Sequence, residues 1–108
     1  MAKVNDIEMR YEAYGQGEPL VSLHGFSGSG QQWASYVPDY RDHFKLIIPD
    51  LRGHGRSTNP SGKFTHRQAA LDVFALLDHL GIERVKAIGY SSGGMTLIHM
   101  ATQQPDRI

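Results

Sequence analysis

Apolar and polar positions along the 108-residue chain fall into two recurring patterns. Short apolar runs end in glycine-rich segments, and longer stretches carry apolar residues every three or four positions. At the N-terminus Val4, Ile7, Met9, Tyr11 and Tyr14 are interrupted by Glu8, Arg10 and Glu12, the alternation of half-exposed strands; with Asn5-Asp6 as a turn, an edge hairpin is expected. Gly15-Gln16-Gly17 is a turn, and Leu20-Val21-Ser22-Leu23 reads as a buried strand that empties into His24-Gly25-Phe26-Ser27-Gly28-Ser29-Gly30. Gln31 to Phe44 has Trp33, Tyr36, Val37 and Tyr40 at helical spacing, and Pro38 implies a short or bent helix. That spacing assigns Trp33, Tyr36 and Tyr40 to core packing rather than to a pocket wall.

Lys45 to Asp50 is another apolar strand, followed by Leu51-Arg52-Gly53-His54-Gly55-Arg56-Ser57 and by Asn59-Pro60-Ser61-Gly62. Thr65-His66-Arg67-Gln68 has the form of a capping box, and Ala70, Val73, Phe74, Leu77 and Leu80 then share one helical face. Gly81 closes that helix in the left-handed conformation. Asp72 and Asp78 read as solvated residues on its exposed side, and Asp50 is expected to pair with Arg52 and order the loop between them. Val85 to Ile88 is a fourth apolar run, and Met95 to Gln104 has helical spacing up to Pro105. Strands alternating with helices, with nearly continuous apolar strands, predict an α/β domain: a mostly parallel sheet with flanking helices and an antiparallel N-terminal hairpin. Residues 1–108 form one domain on this reading. Loops after parallel strands share one rim, which gathers His24, Gly25, Phe26, His54 and Ser91 where open α/β sheets bind ligands.

Gly89-Tyr90-Ser91-Ser92-Gly93-Gly94 carries the strongest chemical signal. It lies between a strand and a helix, so Ser91 would occupy a sharp turn with its hydroxyl above the sheet, and small residues at 89 and 93 would let the backbones pack closely. The following helix would aim its first N–H groups at the charge that develops on a carbonyl oxygen during acyl transfer. Six histidines are present. His24 and His54 sit in rim loops as possible bases or as loop-ordering residues. His99 is eight residues from Ser91, roughly 12 Å along a helix axis, and packs. His43, His66 and His79 read as solvated.

Composition narrows the partners. Eleven basic residues balance 11 acidic ones, which gives no electrostatic footprint for nucleic acid or an anionic membrane. Cysteine is absent, and no cluster of histidines and carboxylates has metal-ligand spacing, so no metal and no cofactor is expected. A Gly-x-Gly-x-x-Gly or Walker phosphate loop is lacking. The first residues have no signal-peptide character and no run reaches membrane-spanning length, so a cytoplasmic protein is expected.

Three motifs in order make the chain resemble the N-terminal half of an α/β-hydrolase of the esterase, lactonase and C–C hydrolase type. They are Leu20-Val21-Ser22-Leu23-His24-Gly25-Phe26, Pro49-Asp50-Leu51-Arg52-Gly53-His54-Gly55-Arg56-Ser57 and Gly89-Tyr90-Ser91-Ser92-Gly93-Gly94. The resemblance implies Ser91 as nucleophile and the backbone N–H groups of Phe26 and Ser92 as an oxyanion hole. It also implies a small carboxylic ester or lactone as substrate. Serine at 91 differs from the aspartate of the similar haloalkane dehalogenases and epoxide hydrolases. In that family the triad acid and histidine lie beyond a sixth strand, and this sequence stops before them. Weak or absent activity of the 108-residue chain is therefore expected, with a non-catalytic fragment that self-associates or binds a small ligand as the alternative. Lacking its neighbour, the strand Val85 to Gly89 would present an open edge, and a homodimer through it is expected.

Overall fold

The N-terminal alternation folds as a hairpin, but a shorter one than its apolar residues suggest. In the computed structural model, which describes residues 1–108, β1 (Ala2–Val4) and β2 (Ile7–Met9) pair antiparallel as a two-stranded sheet of their own. Asn5 turns the chain at φ 52°, a conformation that asparagine tolerates better than most residues. Ala2, Val4, Ile7 and Met9 point inward and are buried, while Lys3 and Glu8 face solvent. Tyr11 and Tyr14 belong elsewhere. They lie in β3 (Tyr11–Tyr14), which runs antiparallel to β5 (Phe44–Pro49) in the main sheet.

β4 (Glu18–Leu23) and β5 form the centre of that sheet in parallel, with Leu20 opposite Leu46 and Val21 opposite Ile47. The last four residues of each are buried, which is why both read as continuous apolar runs. β6 (Lys86–Gly89) pairs in parallel with the other side of β4, and the order is β3-β5-β4-β6. The expected α/β architecture is therefore present. Side chains alternate across the sheet: Val21, Leu23 and Ile47 join one apolar cluster and Leu20, Leu46 and Ile48 the other.

After β4 the chain forms a 3-10 helix over Gly30–Tyr36, capped by the Ser29 side chain, and one α-helical turn, α1 (Val37–Tyr40). Pro38 falls in the first turn of α1, where its missing N–H costs nothing, so it permits the bend instead of breaking a long helix. Core packing holds for Trp33 and, at the margin of the same cluster, for Tyr40, but not for Tyr36. Tyr36 is exposed and Tyr40 half-buried, and with Gln32, Trp33, Ile88, Gly89 and Tyr90 they line a cavity of about 560 Å³ beside β6.

α2 (His66–His79) begins as its sequence suggests, with Thr65 Oγ1 accepting from the Gln68 N–H at 3.0 Å, and Gly81 follows it at φ 71°. α3 (Ser92–Gln103) follows β6, and Pro105 starts a closing 3-10 turn, Pro105–Arg107. That turn changes the open edge. The Val85 N–H donates to the Arg107 carbonyl at 2.8 Å, and the Arg107 guanidinium donates to the carbonyls of Ile82 and Glu83. Val85 is thus buried and paired, and the open edge is confined to β6, Lys86–Gly89. No helix is long and apolar enough to cross a membrane.

Candidate active site

Ser91 stands between the last residue of the elbow strand and the first turn of α3, at φ 53° and ψ −113°. This is a strained conformation for a residue with a Cβ, and such residues collect at functional sites. Small neighbours make it possible. A Cβ on Gly89 would lie 2.6 Å from the Gly93 carbonyl oxygen, and one on Gly93 would lie 2.6 Å from the His24 carbonyl oxygen, so α3 packs directly on the ends of β4 and β6. The Tyr90 N–H donates to Leu23 O at 3.0 Å and the Gly93 N–H to Tyr90 O at 2.8 Å, which fixes both arms of the turn. Ser91 is exposed, and its hydroxyl has no partner in the fold. Ser92, as the first residue of α3, has an N–H without an intrahelical acceptor.

The second rim loop, residues 24–30, is tied down through the amides of its three glycines. Gly25 donates its N–H to Gln32 Oε1 at 2.9 Å, Gly28 to Gly25 O at 3.1 Å, and Gly30 to Asp50 Oδ1 at 2.7 Å. The Phe26 N–H has no acceptor, and its side chain is exposed. This loop meets the elbow at Gly25, where a Cβ would come within 3.3 Å of the Tyr90 ring.

His24 and His54 lie in this rim with ring centroids 5.1 Å apart, and Phe26 packs edge-on to His54 at 5.2 Å. Both nitrogens of His24 are engaged. Nδ1 lies 2.7 Å from the Gly25 carbonyl and Nε2 accepts from the Leu51 N–H at 2.9 Å. Burial lowers its pKa, opposed by the bond to the Gly25 carbonyl. A neutral ring with no free lone pair cannot take a proton from a serine. His54 donates Nδ1–H to the Arg52 carbonyl at 2.9 Å, which leaves its Nε2 free. His66 is not simply solvated. It is half-buried, with Nδ1 3.1 Å from Thr96 Oγ1 and its ring stacked on His99 at 6.5 Å. His43 and His79 are exposed.

Two expected roles of carboxylates are corrected by the structure. Asp50 does not pair with Arg52; its carboxylate accepts the N–H groups of Gly30 and Arg56, at 2.7 and 3.1 Å, and so joins two rim loops. Arg52 turns the other way, to Asp72 through Nε at 2.7 Å and Nη2 at 2.9 Å, and to Asp6 at 2.6 Å. Asp72 is therefore buried, not solvated, and it also accepts from Asn5 and Gln68. The helical wheel held the signal for this: position 72 lies between 69 and 76, both buried, on the inward arc of α2. Hydrogen bonding to Asp72 raises the Arg52 pKa further above its ordinary value, against the effect of burial. Asp78 is exposed and pairs with Arg107 at 2.9 Å. Gln32, which caps the Gly25 N–H, had no sequence signal.

No group of three or more His, Cys, Asp or Glu side chains could hold a metal ion. Comparison with known proteins agrees with the sheet and its flanking helices. The chain is 38% identical over 107 residues to a soluble epoxide hydrolase of Corynebacterium sp. (strain C12), a match covering 99% of this chain and 37% of that protein. It is 33% identical to 3-oxoadipate enol-lactonase 2 of Acinetobacter baylyi, over 94% of this chain and 39% of that one. The solved enol-lactonase from Burkholderia xenovorans LB400 superposes with a TM-score of 0.93 at 35% identity, over 99% of this chain and 43% of that one. The chain thus spans about two fifths of the length of these relatives. A family model of the alpha/beta hydrolase fold matches residues 18–108, and the chain belongs to that family.

Proposed function

We propose that this chain supplies the nucleophile and oxyanion half of a serine hydrolase acting on carboxylic esters or lactones, as one partial domain over residues 1–108. The observation that carries the reading is the exposed, unpartnered Ser91 hydroxyl on a strained strand-to-helix turn. A general base takes the Ser91 proton as the serine oxygen attacks the substrate carbonyl, the carbonyl π electrons move onto oxygen, and the N–H groups of Phe26 and Ser92 stabilise that oxyanion. Collapse breaks the ester C–O bond, the base returns the proton to the departing alkoxide, and the acyl-enzyme left behind is hydrolysed by water. The similar proteins include epoxide hydrolases as well as lactonases, and serine rather than aspartate at 91 is what favours an ester or lactone. His24 has no free nitrogen and is not the base; among the rim histidines His54 keeps a free Nε2, and with no base hydrogen-bonded to Ser91 turnover by the 108 residues alone is weak.

A second reading is favoured by one feature. β6 pairs only with β4, and exposed Tyr36 and Tyr90 line the same cavity as Ile88 and Gly89, so a non-catalytic fragment that self-associates through Lys86–Gly89 is the alternative. Hydrolysis of p-nitrophenyl acetate and butyrate by the chain and by Ser91→Ala, with molecular mass recorded by light scattering in the same buffer, separates the two. Turnover lost in Ser91→Ala supports the hydrolase. Equal rates with a dimeric mass support the alternative, and a monomer at micromolar concentration removes the edge-paired dimer.

A further inference from the structure

The Gly25–Phe26 peptide is held from its carbonyl end. The Gly25 oxygen takes two hydrogen bonds, one from the Gly28 N–H at 3.1 Å and one from His24 Nδ1 at 2.7 Å. A carbonyl can only accept, so Nδ1 carries the ring proton. The other nitrogen agrees: Nε2 lies 2.9 Å from the Leu51 N–H, a donor, and must be bare. One tautomer satisfies both contacts. The chain has no cis peptide bond, and in a planar trans peptide the N–H points opposite to the C=O. Whatever grips the Gly25 oxygen therefore sets the direction of the Phe26 N–H, which has no acceptor of its own.

We propose that His24 is a positioning residue of the rim: its Nδ1–H holds the Gly25 carbonyl and so aims the Phe26 N–H outward to the rim that carries Ser91, while the Leu51 N–H selects the tautomer able to do this. The role extends the proposed hydrolase, since it rests on the Phe26 N–H as an oxyanion donor. The surroundings suit a neutral brace. His24 is fully buried, its ring packs on that of His54, and Asp50 is the acidic group close enough to oppose the effect of burial. A second ring proton would set Nε2–H against the Leu51 N–H, donor against donor. Gln32, which accepts the Gly25 N–H, holds the preceding peptide and completes the clamp.

Two substitutions distinguish aiming from mere filling of the space. Asparagine can place an N–H near the position of Nδ1, and glutamine can place an acceptor near that of Nε2. With aiming, His24→Asn keeps the Gly28 amide close to wild-type hydrogen-exchange protection, and His24→Gln speeds its exchange by about tenfold. Ester turnover in His24→Gln falls in kcat with KM unchanged, whereas His24→Asn retains most of it. Equal behaviour of the two variants, or the reverse order, overturns the proposal. If neither variant folds, the ring ¹⁵N shifts of wild-type His24 decide: a protonated Nδ1 supports it and a protonated Nε2 overturns it. Where Ser91→Ala hydrolyses ester as fast as wild type, the hydrolase reading fails while amide exchange and ring tautomer still test the brace.

Discussion

On one face of the sheet Val21, Leu23 and Ile47 lie beneath α2, α3 and the hairpin in a cluster of 16 buried residues, whereas on the other Leu20, Leu46 and Ile48 share a cluster of five buried residues with Trp33 and Val37, edged by the half-buried Tyr14, Tyr40, Phe44 and Ile88. The closed face also hides its charges. Arg52 and Asp72 are both buried there and satisfied by one another and by Asp6, Asn5 and Gln68. Around the open face and β6 the large apolar side chains stay in solvent, Tyr36 and Tyr90 among them, and a cavity of about 560 Å³ separates the 3-10 helix from the sheet edge. Stability is therefore concentrated on one side and the candidate chemistry at the rim, beside the thinly covered side. Exposed apolar surface of this kind is the sort that interaction sites and ligand-binding grooves present.

The largest effect that could break this contrast comes from the closed core. Phe74→Ala should cost about 3–5 kcal/mol in urea unfolding, while Tyr36→Ala on the open side should stay within about 0.5 kcal/mol. Similar losses at both sites would mean that the two faces contribute equally. Next is the buried ion pair: Asp72→Ala strands Arg52 and should cost about 3 kcal/mol, against about 0.5 kcal/mol or less for Asp78→Ala at the exposed pair. A mild Asp72→Ala would show that Asp6 and solvent suffice for Arg52.

At the rim the expected sign reverses. Ser91→Gly removes a Cβ from a backbone at φ 53°, and relief of strain should stabilise the chain by about 1 kcal/mol. A loss of stability would argue that the turn is relaxed. The smallest effect is in pH. Burial holds the His24 pKa below the ordinary imidazole value of 6.5, so the unfolded chain binds the proton first. Stability from this group is full above pH 6.5 and is lost as pH falls toward the folded value. Thermal melts between pH 7.5 and 5 should decline more steeply for wild type than for His24→Asn, and parallel declines would show that the ring is not the group responsible.

Sequence alone carried the elements whose cause is local. The Thr65 cap, the Gly81 stop, the apolar runs of β4 and β5 and the strand-turn-helix around Ser91 each depend on residues within a few positions of one another. The α/β class and the gathering of His24, His54 and Phe26 at one rim followed from the alternation of strands and helices. What the tertiary structure decided was the partner of each polar group. Arg52 chose Asp72, 20 residues away, and Asp6, 46 away, over nearby Asp50, because Asp50 is already filled by backbone donors from two loops. Val85 was closed by Arg107, and Tyr36 was left outside a core that its helical spacing had assigned to it. Hydrogen bonds of this kind depend on which loops meet in space, and hydrophobic periodicity encodes which face of an element turns inward but not which donor waits there.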